Sequence, residues 1–199
     1  MAKGFVRIII LQNLFCFLWE RHSEETMTTQ LEHARQGIMT REMQIVARDE
    51  GLSESFITQK VAAGEIVIPC NPGRPTQKVT GIGTGLKTKV NASIGTSSDI
   101  CDIGFEVKKA RAAQEEGADT LMELSADGNL DEIRRTVLAG TDLPVGNVPL
   151  YQAFKETIRK YRNPARLDPE YLFDLIEQQL EDGLSFMAIH CGINQYTIE

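Results

Sequence analysis

A chain of 199 residues, 42% apolar and 25% charged, has ordinary globular composition and enough length to bury one substantial core. Its formal charge of -7 argues against a broad basic surface for nucleic acid and leaves room only for a local phosphate site. The four cysteines, Cys16, Cys70, Cys101 and Cys191, are scattered without a C-x-x-C; this argues against a disulfide framework or a zinc knuckle made by this chain alone and fits a reducing, cytoplasmic setting.

In chain order, Lys3 and Arg7 precede an apolar stretch from Ile8 to Trp19 that Gln12 and Asn13 interrupt. It is too short to span a bilayer, and no small-residue cleavage site follows it. Residues 1–26 are therefore expected to be an extension ahead of Met27. Residues 27–75 read as a helical region. Thr40 caps "REMQIVARDE", which stops at Gly51, and Ser53 caps "ESFITQKVAA", which stops at Gly64. "EIVIPC" is expected to be a short strand and "NPGRPTQ" a loop. The glycines of "GIGTGLKTK" suggest a nucleotide loop, but the following segment has strand rather than helix character, so a plain turn is expected.

From residue 76 to 199 strands and helices alternate. Strands are predicted at 89–95, 119–125, 143–151 and 185–191, with helices over "DIGFEVKKARAAQEE", "NLDEIRRTVLAG" and "QAFKETIRKYR". A further helix starts at the Asp168 cap with Pro169 in its first turn; Leu172, Leu175, Ile176 and Leu180 form its apolar face, and Gly183 closes it. The fold class is α/β: helices followed by about four βα units with parallel strands, the first half of a (β/α)8 barrel. An open doubly wound sheet is the alternative. Val145, Val148, Met187 and Ile189 are expected to fill the barrel interior.

In a βα barrel the C-terminal strand ends carry the chemistry. Asn91 could orient a polar ligand or simply hold a loop, and "GTSSD" is expected to cap the next helix. Alternation puts Met122 and Glu123 on opposite faces of their strand. Tyr151 could hydrogen-bond a phosphate or sit at the rim as structure. His190, next to Cys191, suits proton transfer or a bond to an anionic oxygen, or it is a buried histidine satisfied by a carbonyl.

Taken together, "MTTQLEHARQGIMTREMQIVARDEGLSESFITQKVAAGEIVIP", "KVNASIGTSSD", "GADTLMELS", "LPVGNVPLYQAF" and "FMAIHCGI" resemble the ThiC family, from Met27 to the end of the chain. That family comprises phosphomethylpyrimidine synthase of thiamine biosynthesis and 5-hydroxybenzimidazole synthase of the anaerobic vitamin B12 lower-ligand pathway. The resemblance implies a radical S-adenosylmethionine lyase that rearranges 5-aminoimidazole ribotide. A [4Fe-4S] cluster, S-adenosylmethionine and zinc are implied for the full-length family. By position in the motifs, Asn91, Met122, Tyr151 and His190 match residues that contact the ribotide.

Two departures stand out. Ser125-Ala126-Asp127-Gly128 replaces the family's serine-threonine-glycine-glycine. The family's later phosphate loop, metal-binding histidines and C-x-x-C-x-x-x-x-C motif do not occur in these 199 residues. The expectation is thus a truncated phosphomethylpyrimidine synthase, inactive alone, with 5-hydroxybenzimidazole synthase acting on the same ribotide as the close alternative. A non-catalytic half-barrel that binds a phosphorylated ligand or self-associates as a homodimer is the alternative from a different class.

Overall fold

The computed structural model describes residues 28–189 and, as backbone, the short strand Arg7–Ile9. That strand is β1. Helices α1 (Gln30–Arg35), α2 (Arg41–Glu50) and α3 (Glu54–Ala62) follow. Each begins where a hydroxyl satisfies an otherwise orphaned amide. The Thr40 Oγ1 accepts from the Met43 amide at 3.3 Å, and the Ser53 Oγ accepts from the Phe56 amide at 3.2 Å. Thr29 and Glu32 form a reciprocal capping box on α1, and those bonds hold the Glu32 carboxyl below its ordinary range. Gly51 ends α2 at φ 69°, a left-handed geometry that favours glycine. The buried faces of these helices meet in one apolar cluster of Ala34, Met43, Val46, Ile57, Val61 and Ile66, among others.

The two-residue strands β2 (Ile66–Val67) and β3 (Ile82–Gly83) pair antiparallel beside that cluster. The glycine run is thus one arm of a small ribbon. A Cβ at Gly83 would lie 2.1 Å from the Glu65 carbonyl oxygen, so close backbone approach explains the glycine without any phosphate.

The main sheet contains β4 (Asn91–Ile94), β5 (Thr120–Glu123), β6 (Val145–Asn147) and β7 (Phe186–Ile189), parallel and in sequential order. Between them run α4 (Ile103–Glu115), α5 (Leu130–Gly140), α6 (Pro149–Tyr161) and α7 (Pro169–Glu181), with a 3₁₀ turn at Pro164–Arg166. This is a partial βα barrel preceded by helices. Strand alternation gives the sheet two faces. Ile94, Leu121, Val145 and Met187 pack with Ala110, Ile133, Val137, Ile176 and Leu180 of the helices. Met122, Val148, Phe186 and Ala188 cluster on the inner face.

Three sequence expectations change here. Val145 and Met187 face the helices rather than the interior, because the register pairs Gly146 with Phe186 and puts those two on the inner face. The third strand stops at Asn147, since Pro149 starts α6: its fixed φ suits the first helical position, so "PLY" is helix rather than strand. Asp102, not the "GTSSD" loop, caps α4, accepting from the Phe105 amide at 3.0 Å.

The "NPGRPTQ" loop crosses the N-terminal ends of the strands and is bonded to them. Asn71 Nδ2 donates to the Leu180 and Leu184 carbonyls at 2.8 and 2.7 Å. Arg74 donates to the carbonyls of Leu138, Thr141 and Leu143 at 3.1, 2.6 and 3.1 Å. The Lys78 amide donates to the Asp142 carbonyl at 2.6 Å. These bonds close the bottom of the sheet and leave its C-terminal end for a site. No helix among the described residues is long and apolar enough to cross a membrane.

Candidate functional site at the strand ends

The parallel register decides which inner-face residues share a layer. Asn91 pairs with Thr120, Ser93 with Met122, and Met122 with Gly146. The structure therefore brings Ser93, Met122 and Gly146 side by side near the C-terminal end. It places Asn91 two residues lower, about 7 Å along the strand. There the Asn91 Oδ1 accepts from the Thr120 Oγ1 at 3.0 Å. Met122 is buried against Val148, Phe186 and Ala188. Tyr151 stands in the first turn of α6, half exposed, just beyond the end of β6. His190 lies outside the described residues.

Ser93 was not singled out from the sequence. The signal that would have found it is parity: a residue shares the Met122 layer only if its strand is aligned by register, and register is a pairing property.

Two loops at this end are tied together. The Thr96 amide donates to the Ser125 Oγ at 3.0 Å, and the Thr96 Oγ1 donates to the Asp127 carbonyl at 2.6 Å. Lys155 of α6 holds the second loop through the Ala126 carbonyl at 2.8 Å and the Asp127 carboxylate at 2.9 Å. That lysine keeps the Asp127 carboxyl below its ordinary range. The "SADG" departure is thus an anchored loop, in which aspartate supplies the charge that Lys155 needs.

Behind the inner face lies a polar chain. Asn147 Nδ2 donates to Gln179 Oε1 at 2.8 Å, and Gln179 Nε2 donates to Gln152 Oε1 at 2.9 Å. Arg134, 1% exposed, donates to that same Gln152 oxygen at 3.0 Å, to Asp131 at 2.8 Å and to Asp182 at 2.6 Å. Burial works to raise the Asp131 carboxyl, but its bonds from Gln152 and Arg134 win and hold it low. Tyr171 donates its phenol to Glu156; burial and the neighbouring carboxylates push that phenol up. Glu123, as alternation predicts, points away from Met122. Burial raises its carboxyl, partly offset by bonds to Ser125, whose amide it accepts at 2.8 Å. A cavity of about 20 Å³ between Glu123, Ser125, Arg134, Asn147 and Tyr151 reaches the rim.

Among the described residues, no three His, Cys, Asp or Glu side chains converge as a metal site. Cys70 is partly buried, which raises its thiol, and Cys101 is exposed with its Sγ 3.6 Å from the Asp127 carbonyl. Cys16 and Cys191 lie outside the described residues. What the described strand ends present is a thioether, aromatic and aliphatic floor with hydroxyls at its edge.

Residues 29–199 match the Radical SAM ThiC family. The chain is 72% identical over 173 residues to 5-hydroxybenzimidazole synthase of Desulforapulum autotrophicum, covering 87% of this chain and 39% of that relative. It is 64% identical over 173 residues to 5-hydroxybenzimidazole synthase of Geobacter sulfurreducens, covering 87% of this chain and 40% of the relative. It is 52% identical over 167 residues to phosphomethylpyrimidine synthase of Carboxydothermus hydrogenoformans, covering 84% and 39%. The chain spans about two-fifths of the length of these curated relatives. With a family match over all but its first 28 residues, it belongs to the Radical SAM ThiC family.

Proposed function

We propose that this chain supplies the substrate-binding wall of a 5-hydroxybenzimidazole synthase that acts on 5-aminoimidazole ribotide. The observation that carries the choice of branch is the gap in identity. Four 5-hydroxybenzimidazole synthases are 64–72% identical to it, against 52–54% for four phosphomethylpyrimidine synthases. Phosphomethylpyrimidine synthase is the second reading, supported by those same relatives.

In this reading Met122 lays its polarizable thioether against the flat imidazole ring. The Ser93 hydroxyl beside it bonds a ring or ribose group, and Tyr151 at the rim donates its phenol to the phosphate. His190 bonds an anionic oxygen of the same substrate. Asn91, bonded to Thr120 one layer down, supports the floor. The apolar inner face keeps water from the ring. The family implies a [4Fe-4S] cluster, S-adenosylmethionine and zinc, but the side chains of residues 28–189 do not fit a cluster or zinc site. The role of this chain is therefore to bind and orient the substrate.

The test is a graft. Residues 29–199 replace the matching segment of the Desulforapulum relative, and products from 5-aminoimidazole ribotide are identified by mass spectrometry. The expected product is 5-hydroxybenzimidazole, and a pyrimidine product would overturn the choice of branch. The 199-residue chain by itself is expected to bind the ribotide without forming 5′-deoxyadenosine from S-adenosylmethionine. Formation of 5′-deoxyadenosine would overturn the division of labour.

A further inference from the structure

A parallel strand inside a barrel has two neighbours, and β7 has β6 on one side. In a βα barrel, the other side is where the next parallel strand adds. In this chain that edge is taken. β1 pairs with β7 antiparallel, with Arg7 opposite Ile189, Ile8 opposite Ala188 and Ile9 opposite Met187. β1 comes from the segment ahead of the family match, which starts at residue 29. Its direction is also wrong for a barrel strand, since β4 to β7 are all parallel.

We propose that residues 7–9 are a built-in edge cap. They satisfy the backbone groups that β7 would otherwise present to a second chain, and they occupy the place of the next barrel strand. An open edge of this kind is a template for pairing, and natural proteins cover such edges. Because one edge of β7 holds one neighbour, the cap and a further barrel strand exclude each other. Closing a barrel through β7 requires β1 to leave. The proposal concerns the N-terminal extension and stands whatever product the enzyme makes.

Two measurements on the 199-residue chain test it. In a variant whose four native cysteines are serine, Ile8→Cys is combined with Ala188→Cys. Opposed residues in an antiparallel pair have Cα atoms about 4.5–5.5 Å apart, within disulfide reach. The expected result is an intramolecular disulfide, found by peptide mapping, and none when Ile8→Cys is combined instead with Val90→Cys at the opposite edge of the sheet. Separately, Ile8→Pro is combined with Ile9→Pro. Amides alternate sides along a strand, so one of two adjacent residues donates to β7, and the proline pair removes that donor. Hydrogen exchange at Phe186–Ile189 is expected to rise about tenfold or more while Leu121 and Met122 stay protected. Light scattering is expected to show dimers of the proline variant. Unchanged exchange would overturn the cap, as would a disulfide that forms only between chains. If the proline pair unfolds the whole domain, the disulfide result decides.

Discussion

The Gly146→Ala substitution probes the inner face directly. Gly146 has no positive φ, so alanine can adopt its backbone without strain. The obstacle is the Phe186 ring. An added Cβ would sit 2.3, 2.5 and 2.7 Å from three ring carbons, where comfortable carbon contacts are about 3.5–4.0 Å. The ring must therefore retreat by about 1 Å. It is 4% exposed and held by Met122, Val148 and Ala188, so it cannot swing into solvent. Overpacking of this kind costs about 1–3 kcal/mol, and we expect about 2 kcal/mol. Phe186→Leu shortens the obstructing group and costs about 1 kcal/mol alone by lost burial. In the double variant the clash is gone, so the total should fall at least ~1 kcal/mol short of the sum. The assay is urea unfolding followed by far-ultraviolet circular dichroism on all four proteins of the cycle. Additivity within about 0.5 kcal/mol would refute the reasoning, because it would mean that Phe186 does not lie over Gly146.

Other predictions follow from the polar contacts. Arg134→Met leaves the Asp182 and Asp131 carboxylates without their buried cation, and should cost about 3–5 kcal/mol in the same unfolding assay. Asn71→Ala strands the Leu180 and Leu184 carbonyls at the bottom of the sheet; a loss of about 1–3 kcal/mol is expected, with faster hydrogen exchange in the residue 70–78 loop. Glu123 gives a pH signature. Its folded pKa is raised above the ordinary 4.5, so the folded state binds more protons in the window above that value. Its contribution thus favours folding at low pH and is lost as pH rises through the folded pKa. Glu123→Gln keeps an acceptor for the Ser125 amide but cannot titrate. The stability difference between wild type and Glu123→Gln should therefore change with pH above 4.5, shifting against the wild type as pH rises, and a flat difference would show that Glu123 titrates normally.

Much of the architecture was legible in the chain because it depends on local chemistry. Thr40, Ser53, Asp168 and Pro169 start helices through their own side chains or ring, and Gly51 stops one through its left-handed backbone. The βα rhythm, and hence a parallel sheet, follows from alternating apolar periods. Family membership was visible in five motifs in order, and no single motif would have sufficed. What only the tertiary structure decided is which residues meet. The layer that joins Ser93, Met122 and Gly146 depends on how strands align, and a slip of one residue would reverse every face. The same holds for Val145 and Met187, which are equally suited by composition to either side of the sheet. The polar chain from Asn147 to Asp182 joins residues up to 48 positions apart, and β1 finds β7 from the far end of the sequence. Helix caps act within a few residues, so the sequence by itself determined those of α2, α3 and α7. Register, burial and edge pairing are bought with long-range contacts, so they exist only once the chain has folded.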